Sequence, residues 1–167
     1  MATILVFEDN KNHLQEARDL LEARGHLVYF ETTLANLEKY LRFRGDGEPN
    51  LIVDGIITDL FLPLDAPLED TDDSRDYSDP NQPSGLLVMA LCAQSDLPCV
   101  ICTDIFHHGN KVQLYDLICT AQKWPLCDPT FEENFGDCPN PITHPGEHKN
   151  WKTVAEMIEK MFAEKAT

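Results

Sequence analysis

Positive charge is what this 167-residue chain most lacks: 13 Lys and Arg stand against 29 Asp and Glu, a formal net charge of −16. Affinity for nucleic acid comes largely from Lys and Arg neutralising phosphates, so the deficit argues against that partner. It argues equally against docking on an anionic membrane surface. Long apolar runs are also missing, and no segment approaches the ~18 residues of a membrane span. The opening residues carry no basic cluster and turn acidic at Glu8-Asp9, so no secretory signal is expected and a cytoplasmic location is. No internal repeat is visible. With no leader expected, the six cysteines (Cys92, Cys99, Cys102, Cys119, Cys127, Cys138) read mostly as small buried apolar residues.

What is present is an alternation of short apolar runs and helical periodicity. Ile4–Phe7, His26–Phe30, Gly55–Asp59 and Cys99–Thr103 read as buried strands. Leu14, Ala17, Leu20 and Leu21 recur at helical spacing, and Gly25 ends that helix. Thr32 and Thr33 can cap a helix with Leu34, Leu37, Tyr40 and Leu41 on one face. Helices are also expected over Gly85–Gln94, Gly109–Ala121 and Trp151–Phe162, with a short strand near Trp124–Cys127. Two stretches break the pattern. Residues 64–83 hold seven acids against Arg75 alone and read as an acidic loop insertion. Residues 122–148 form an irregular Pro-rich segment. The whole chain, 1–167, is expected to be one α/β domain, a parallel sheet covered by helices on both faces.

In open α/β sheets the ligand site lies at the carboxyl ends of the strands. Strand one ends in Glu8-Asp9, strand three in Asp59, and strand four in Thr103-Asp104. Clustered carboxylates repel by about 4 kcal/mol per pair at 4 Å and an effective dielectric near 20. A bound cation or a retained proton relieves that repulsion. An oxygen-only donor set suits Mg²⁺ (or Mn²⁺), and a carboxylate beside such an ion can attack phosphorus. A hydroxyl such as that of Thr103 can then hydrogen-bond the phosphoryl group.

The pieces Ile4-Leu5-Val6-Phe7-Glu8-Asp9-Asn10, Ile56-Ile57-Thr58-Asp59-Leu60-Phe61-Leu62-Pro63, Ser84-Gly85-Leu86-Leu87 and Pro98-Cys99-Val100-Ile101-Cys102-Thr103 together resemble the receiver domains of response regulators, the CheY-like superfamily. The likeness covers roughly two thirds of the chain. It implies a doubly wound, flavodoxin-like sheet of five strands in the order 2-1-3-4-5. It implies that Asp59 accepts the phosphoryl group and that Glu8, Asp9, Asp59 and the backbone carbonyl of Phe61 hold the metal. Thr103 would be the switch hydroxyl. Two-component signalling further implies a histidine kinase or phosphotransfer protein as donor and a downstream protein as target, with no output domain and a monomer or weak homodimer. The protein would be a phosphorelay acceptor with possible autodephosphorylation rather than a conventional enzyme.

Such domains also carry a Lys-Pro pair after the fifth strand, and three placements stay open: Lys123 before Trp124-Pro125, Lys149 before the last helix, or no lysine. The departures keep a second reading alive, a phosphorylation-independent pseudo-receiver acting as a scaffold. A Mg²⁺-dependent phosphatase using Asp59 is a third. Cys127, Cys138, His144 and His148 offer a zinc set whose histidine spacing is right and whose cysteine spacing is not. The Cys99-x-x-Cys102 pair lies inside a strand and reads as core, and His107-His108 as a solvated loop.

Overall fold

A computed structural model describes residues 1–37, 40, 53–62, 83–103, 113–127 and 149–166. Five strands, β1 (Thr3–Phe7), β2 (Leu27–Glu31), β3 (Gly55–Thr58), β4 (Cys99–Cys102) and β5 (Leu126–Cys127), form one sheet in the order β2-β1-β3-β4-β5. Every pairing is parallel. Among the described residues the longer helices are α1 (Lys11–Ala23), α2 (Ser84–Gln94), α3 (Gln113–Gln122) and α4 (Trp151–Lys165).

Alternation along the strands divides the core in two. Leu5, Phe7, Ile56 and Ile101 face Val88, Met89 and Cys92 of α2 and Cys119 of α3. Ile4, Val6, Ile57, Val100 and Cys102 face Ala17 and Leu21 of α1 and Val154, Ala155 and Ile158 of α4. Because both faces are covered, the central strands are apolar at nearly every position, which is why they read as unbroken runs.

The helix ends follow their local chemistry. Asn10 caps α1 by accepting from the Asn12 N–H at 2.9 Å, and Gly25 takes φ 83° just beyond its end. Asn150 caps α4 by accepting from the Thr153 N–H at 3.0 Å. The helix expected from Thr32 onward begins as a 3-10 turn, Leu34–Asn36, with Leu37 and Tyr40 helical; Leu41 lies outside the described residues. The start expected for α3 at Gly109, the pair His107-His108, and most of the acidic insertion and the Pro-rich segment lie outside them too. Cys92, Cys99, Cys102 and Cys119 are buried within the core, in keeping with packing. Among the described residues, no helix is long and apolar enough to cross a membrane.

Candidate functional site

Register places the acids. Phe7 of β1 lies opposite Thr58 of β3, so the residues that follow, Glu8 and Asp59, leave neighbouring strands side by side. The Asp59 N–H donates to the Phe7 carbonyl at 2.9 Å, and the Glu8 N–H to the Glu31 carbonyl at 3.0 Å. One carboxylate oxygen from each of Glu8, Asp9 and Asp59 falls within 4.8 Å of the others. Glu8 and Asp59 are buried and Asp9 is exposed, so the cluster opens to solvent on the Asp9 side. Opposite ligands of an octahedral Mg²⁺ lie about 4.2 Å apart. Neighbouring ligands lie about 3.0 Å apart, so the three acids suit such an ion by their all-oxygen donor chemistry and would draw closer to hold it.

A cation of the chain's own reaches two of these acids. Lys149, whose side chain is 1 % exposed, places Nζ 2.9 Å from Asp59 Oδ1 and donates a short hydrogen bond to Glu8 Oε2. The Asn10 N–H donates to Glu8 Oε1 at 3.1 Å, and the Leu60 N–H to Asp59 Oδ1 at 2.8 Å. Burial alone would lower the Lys149 pKa, but the charges of Asp59 and Glu8 outweigh it and hold the ammonium firmly protonated. Burial raises Glu8 above its ordinary 4.5; Lys149 pulls it back down and Asp59 pushes it up. Both shifts are consistent with one ammonium serving two buried carboxylates. It is held by both, and it does not fully neutralise either.

The loop that presents Asp59 is clamped from behind. Thr58 Oγ1 donates to the Asp59 carbonyl at 2.9 Å. Ser84, at the start of α2, donates from Oγ to the Leu62 carbonyl at 2.7 Å and accepts from the Leu62 N–H at 3.0 Å. The Gly85 N–H donates to the Leu60 carbonyl at 3.0 Å. A Cβ on Gly85 would lie 2.0 Å from the Asp59 carbonyl oxygen, so only glycine permits this approach. Phe61 is half-buried on the same loop and packs against the core. Thr103 is buried immediately beyond β4, at the same end of the sheet.

These features can be set beside known proteins. No family model matches the chain, and no curated protein does. Solved structures do. The signal receiver domain of a histidine kinase from Syntrophus aciditrophicus superposes with a TM-score of 0.58 at 16% identity, covering 98% of this chain and 92% of that one. The beryllofluoride-activated NtrC4 receiver domain dimer gives 0.56 at 15% identity over 98% of each. The non-phosphorylated HemR receiver domain from Leptospira biflexa gives 0.55 at 14% identity, over 97% and 94%. The chain has the fold of a receiver domain.

Within that receiver fold, the two candidate lysines separate cleanly. Lys123 precedes β5, and the start of a strand in a parallel sheet lies at the end opposite the acids. Lys123 is exposed there and lines the same hollow as Asp96, Leu97 and Lys165, at the end of the sheet away from Glu8, Asp9 and Asp59. Lys149 precedes α4, which begins at the carboxyl end of the sheet, and it is the lysine that meets Asp59. Chain direction alone carried that signal. For the zinc set, Cys138, His144, His148 and the Cys127 side chain lie outside the described residues.

Proposed function

We propose that this chain is a response-regulator receiver in which Asp59 accepts a phosphoryl group from a phosphohistidine on a histidine kinase or phosphotransfer protein. The observation that carries the reading is the meeting of Glu8, Asp9 and Asp59 with buried Lys149 at the carboxyl ends of β1 and β3. In the proposed step an Asp59 carboxylate oxygen forms a bond to phosphorus while the P–N bond to the donor histidine breaks. The donor nitrogen keeps the electron pair, and the product is an acyl phosphate. Mg²⁺ held by Glu8, Asp9, Asp59 and the Phe61 carbonyl would offset charge on the phosphoryl oxygens.

The chain's own part is positioning. The Leu60 N–H and Lys149 fix Asp59 Oδ1, so the carboxylate is oriented before a donor arrives. Lys149 Nζ, three donors on a flexible stem, would move from carboxylates to the phosphoryl oxygens. Thr103, close by at the end of β4, would turn its hydroxyl to the same group. The state would then be read by a downstream protein on the face around β5, α3 and α4. The excess of acid disfavours nucleic acid or membrane as that partner.

The test is beryllofluoride with Mg²⁺, followed by NMR. The reading expects saturable shifts around Glu8, Asp59 and Thr103 that vanish in Asp59→Asn. A spectrum unchanged across Mg²⁺ concentration and pH would overturn it. A second reading has one specific support: Lys149 already bridges two of the acids internally. A pseudo-receiver scaffold of that kind expects partner binding to survive Asp59→Asn unaltered, whereas the receiver reading expects the phosphate-dependent part to disappear.

A further inference from the structure

At the far end of the sheet, a cavity of about 540 Å³ opens where β4 and β5 begin, between the last turns of α2 and α4. That volume lies within the ~300–1,000 Å³ typical of small-molecule pockets. Its walls combine apolar surface, with Met89, Leu97, Met161 and half-buried Trp124 among the contributors, and polar surface in nearly equal measure. Methionine is adaptable to irregular shapes, and a Trp face suits a flat apolar body.

Four charged residues line the same space, and three have partners. Lys165 lies 3.1 Å from the Asp96 carboxylate and also donates to the Asp96 carbonyl. Glu164 faces Lys160 at 3.8 Å. Lys123 enters no ion pair among the described residues, leaving one uncompensated positive charge at the rim. The backbone here is also unusual. Lys123 (φ 56°) and Asp96 (φ 51°) are the non-glycine residues held in the left-handed region among the described residues, and both line this cavity. Each stands just past a helix end, where glycine is the usual occupant. Here that position is given to a charged side chain instead.

We propose that this cavity binds a small amphipathic carboxylate, its apolar body against Trp124 and the methionines and its anionic head on Lys123. Charge complementarity chooses the head, because Lys123 is the lining charge with no ion pair among the described residues and a cationic ligand would meet it with the wrong sign. The apolar part of the walls chooses the body. The site is separate from Glu8, Asp9 and Asp59. Cys99, at the cavity, begins the strand that Thr103 follows at the other end.

The full chain should be titrated with 3-phenylpropanoate and, separately, with its uncharged amide, followed by amide-resolved NMR. The proposal expects saturable shifts at Leu97, Lys123 and Met161, with affinity about tenfold weaker for the amide and in Lys123→Gln. Lys123 is exposed, so that variant folds as the parent does, and Trp124→Phe should retain binding with a changed shift pattern. The proposal is overturned by no saturable shift up to about 10 mM, by equal affinity for acid and amide, or by unchanged affinity in Lys123→Gln. The measurement involves no phosphoryl chemistry, so its failure would leave the Asp59 proposal untouched.

Discussion

Replacing Lys149 with Met keeps much of the buried stem and removes the ammonium. At 2.9 Å from Asp59 Oδ1, the gross attraction is about 6 kcal/mol at an effective dielectric near 20. The desolvation cost of Lys149 offsets part of that. What the variant leaves behind is the larger matter: two buried carboxylates, Glu8 and Asp59, without their cation. Breaking such a pair from one side costs roughly 3–5 kcal/mol. In a chain of this length that corresponds to a fall in Tm of roughly 10 °C. The deficit should depend on pH with a definite sign. Glu8 is already raised above 4.5, and losing Lys149 removes what pulls it down. A raised acid favours the folded state below its unfolded value and loses that contribution as pH rises through the folded value. The variant should therefore be closest to wild type near pH 4.5 and furthest from it at neutral pH. Lys149 itself is raised above 10.5, so the wild-type advantage holds through neutral pH and fades only in alkali. Adding Glu8→Gln to the variant should recover part of the loss. Urea melts at several pH values measure all of this. A loss below about 1 kcal/mol with no pH dependence would refute the buried ion-pair arrangement.

Two further perturbations test other parts of the structure. Gly85→Ala puts a methyl group 2.0 Å from the Asp59 carbonyl, which is backbone and has little room to give. It should cost at least about 1–3 kcal/mol by calorimetry and shift the Asp59 and Leu60 amide resonances, whereas a mere helix-propensity effect would stabilise. Glu159→Gln removes the acid that meets Arg24 at 2.7 Å and His26 at 3.0 Å. That cluster is partly exposed, so its loss should be within about 1 kcal/mol and smaller still at high salt. A loss as large as that of Lys149→Met would mean burial is not what sets these energies apart.

The strands were legible because burial on both faces leaves only apolar residues, as in Ile4–Phe7 and Cys99–Cys102. The meeting of Glu8, Asp9 and Asp59 was legible because parallel topology fixes which strand ends are neighbours. Lys149 is one of three placements the sequence leaves open, because the family pattern puts its lysine at the end of β5 and this chain has none there. The link of Lys149 to Glu8 spans 141 residues, and no local periodicity reports a contact of that range. The role of Gly85 was hidden for a similar reason: its neighbour in space is the Asp59 backbone, not anything in its own helix. The start of the helix after β2 shows the opposite limit, where capping threonines marked the place but the first turn is 3-10.

We propose Asp59 as a phosphoryl acceptor whose charge is balanced by Lys149, with Glu8 and Asp9 beside it to hold a divalent ion. The most direct measurement is the intact mass of the full chain after incubation with acetyl phosphate and Mg²⁺, with peptide mapping of any adduct. One added phosphoryl group is expected, located on Asp59, released by hydroxylamine as an acyl phosphate, dependent on the divalent ion and absent in Asp59→Asn. An unmodified chain under all these conditions, or an adduct on another residue that survives in Asp59→Asn, would contradict it.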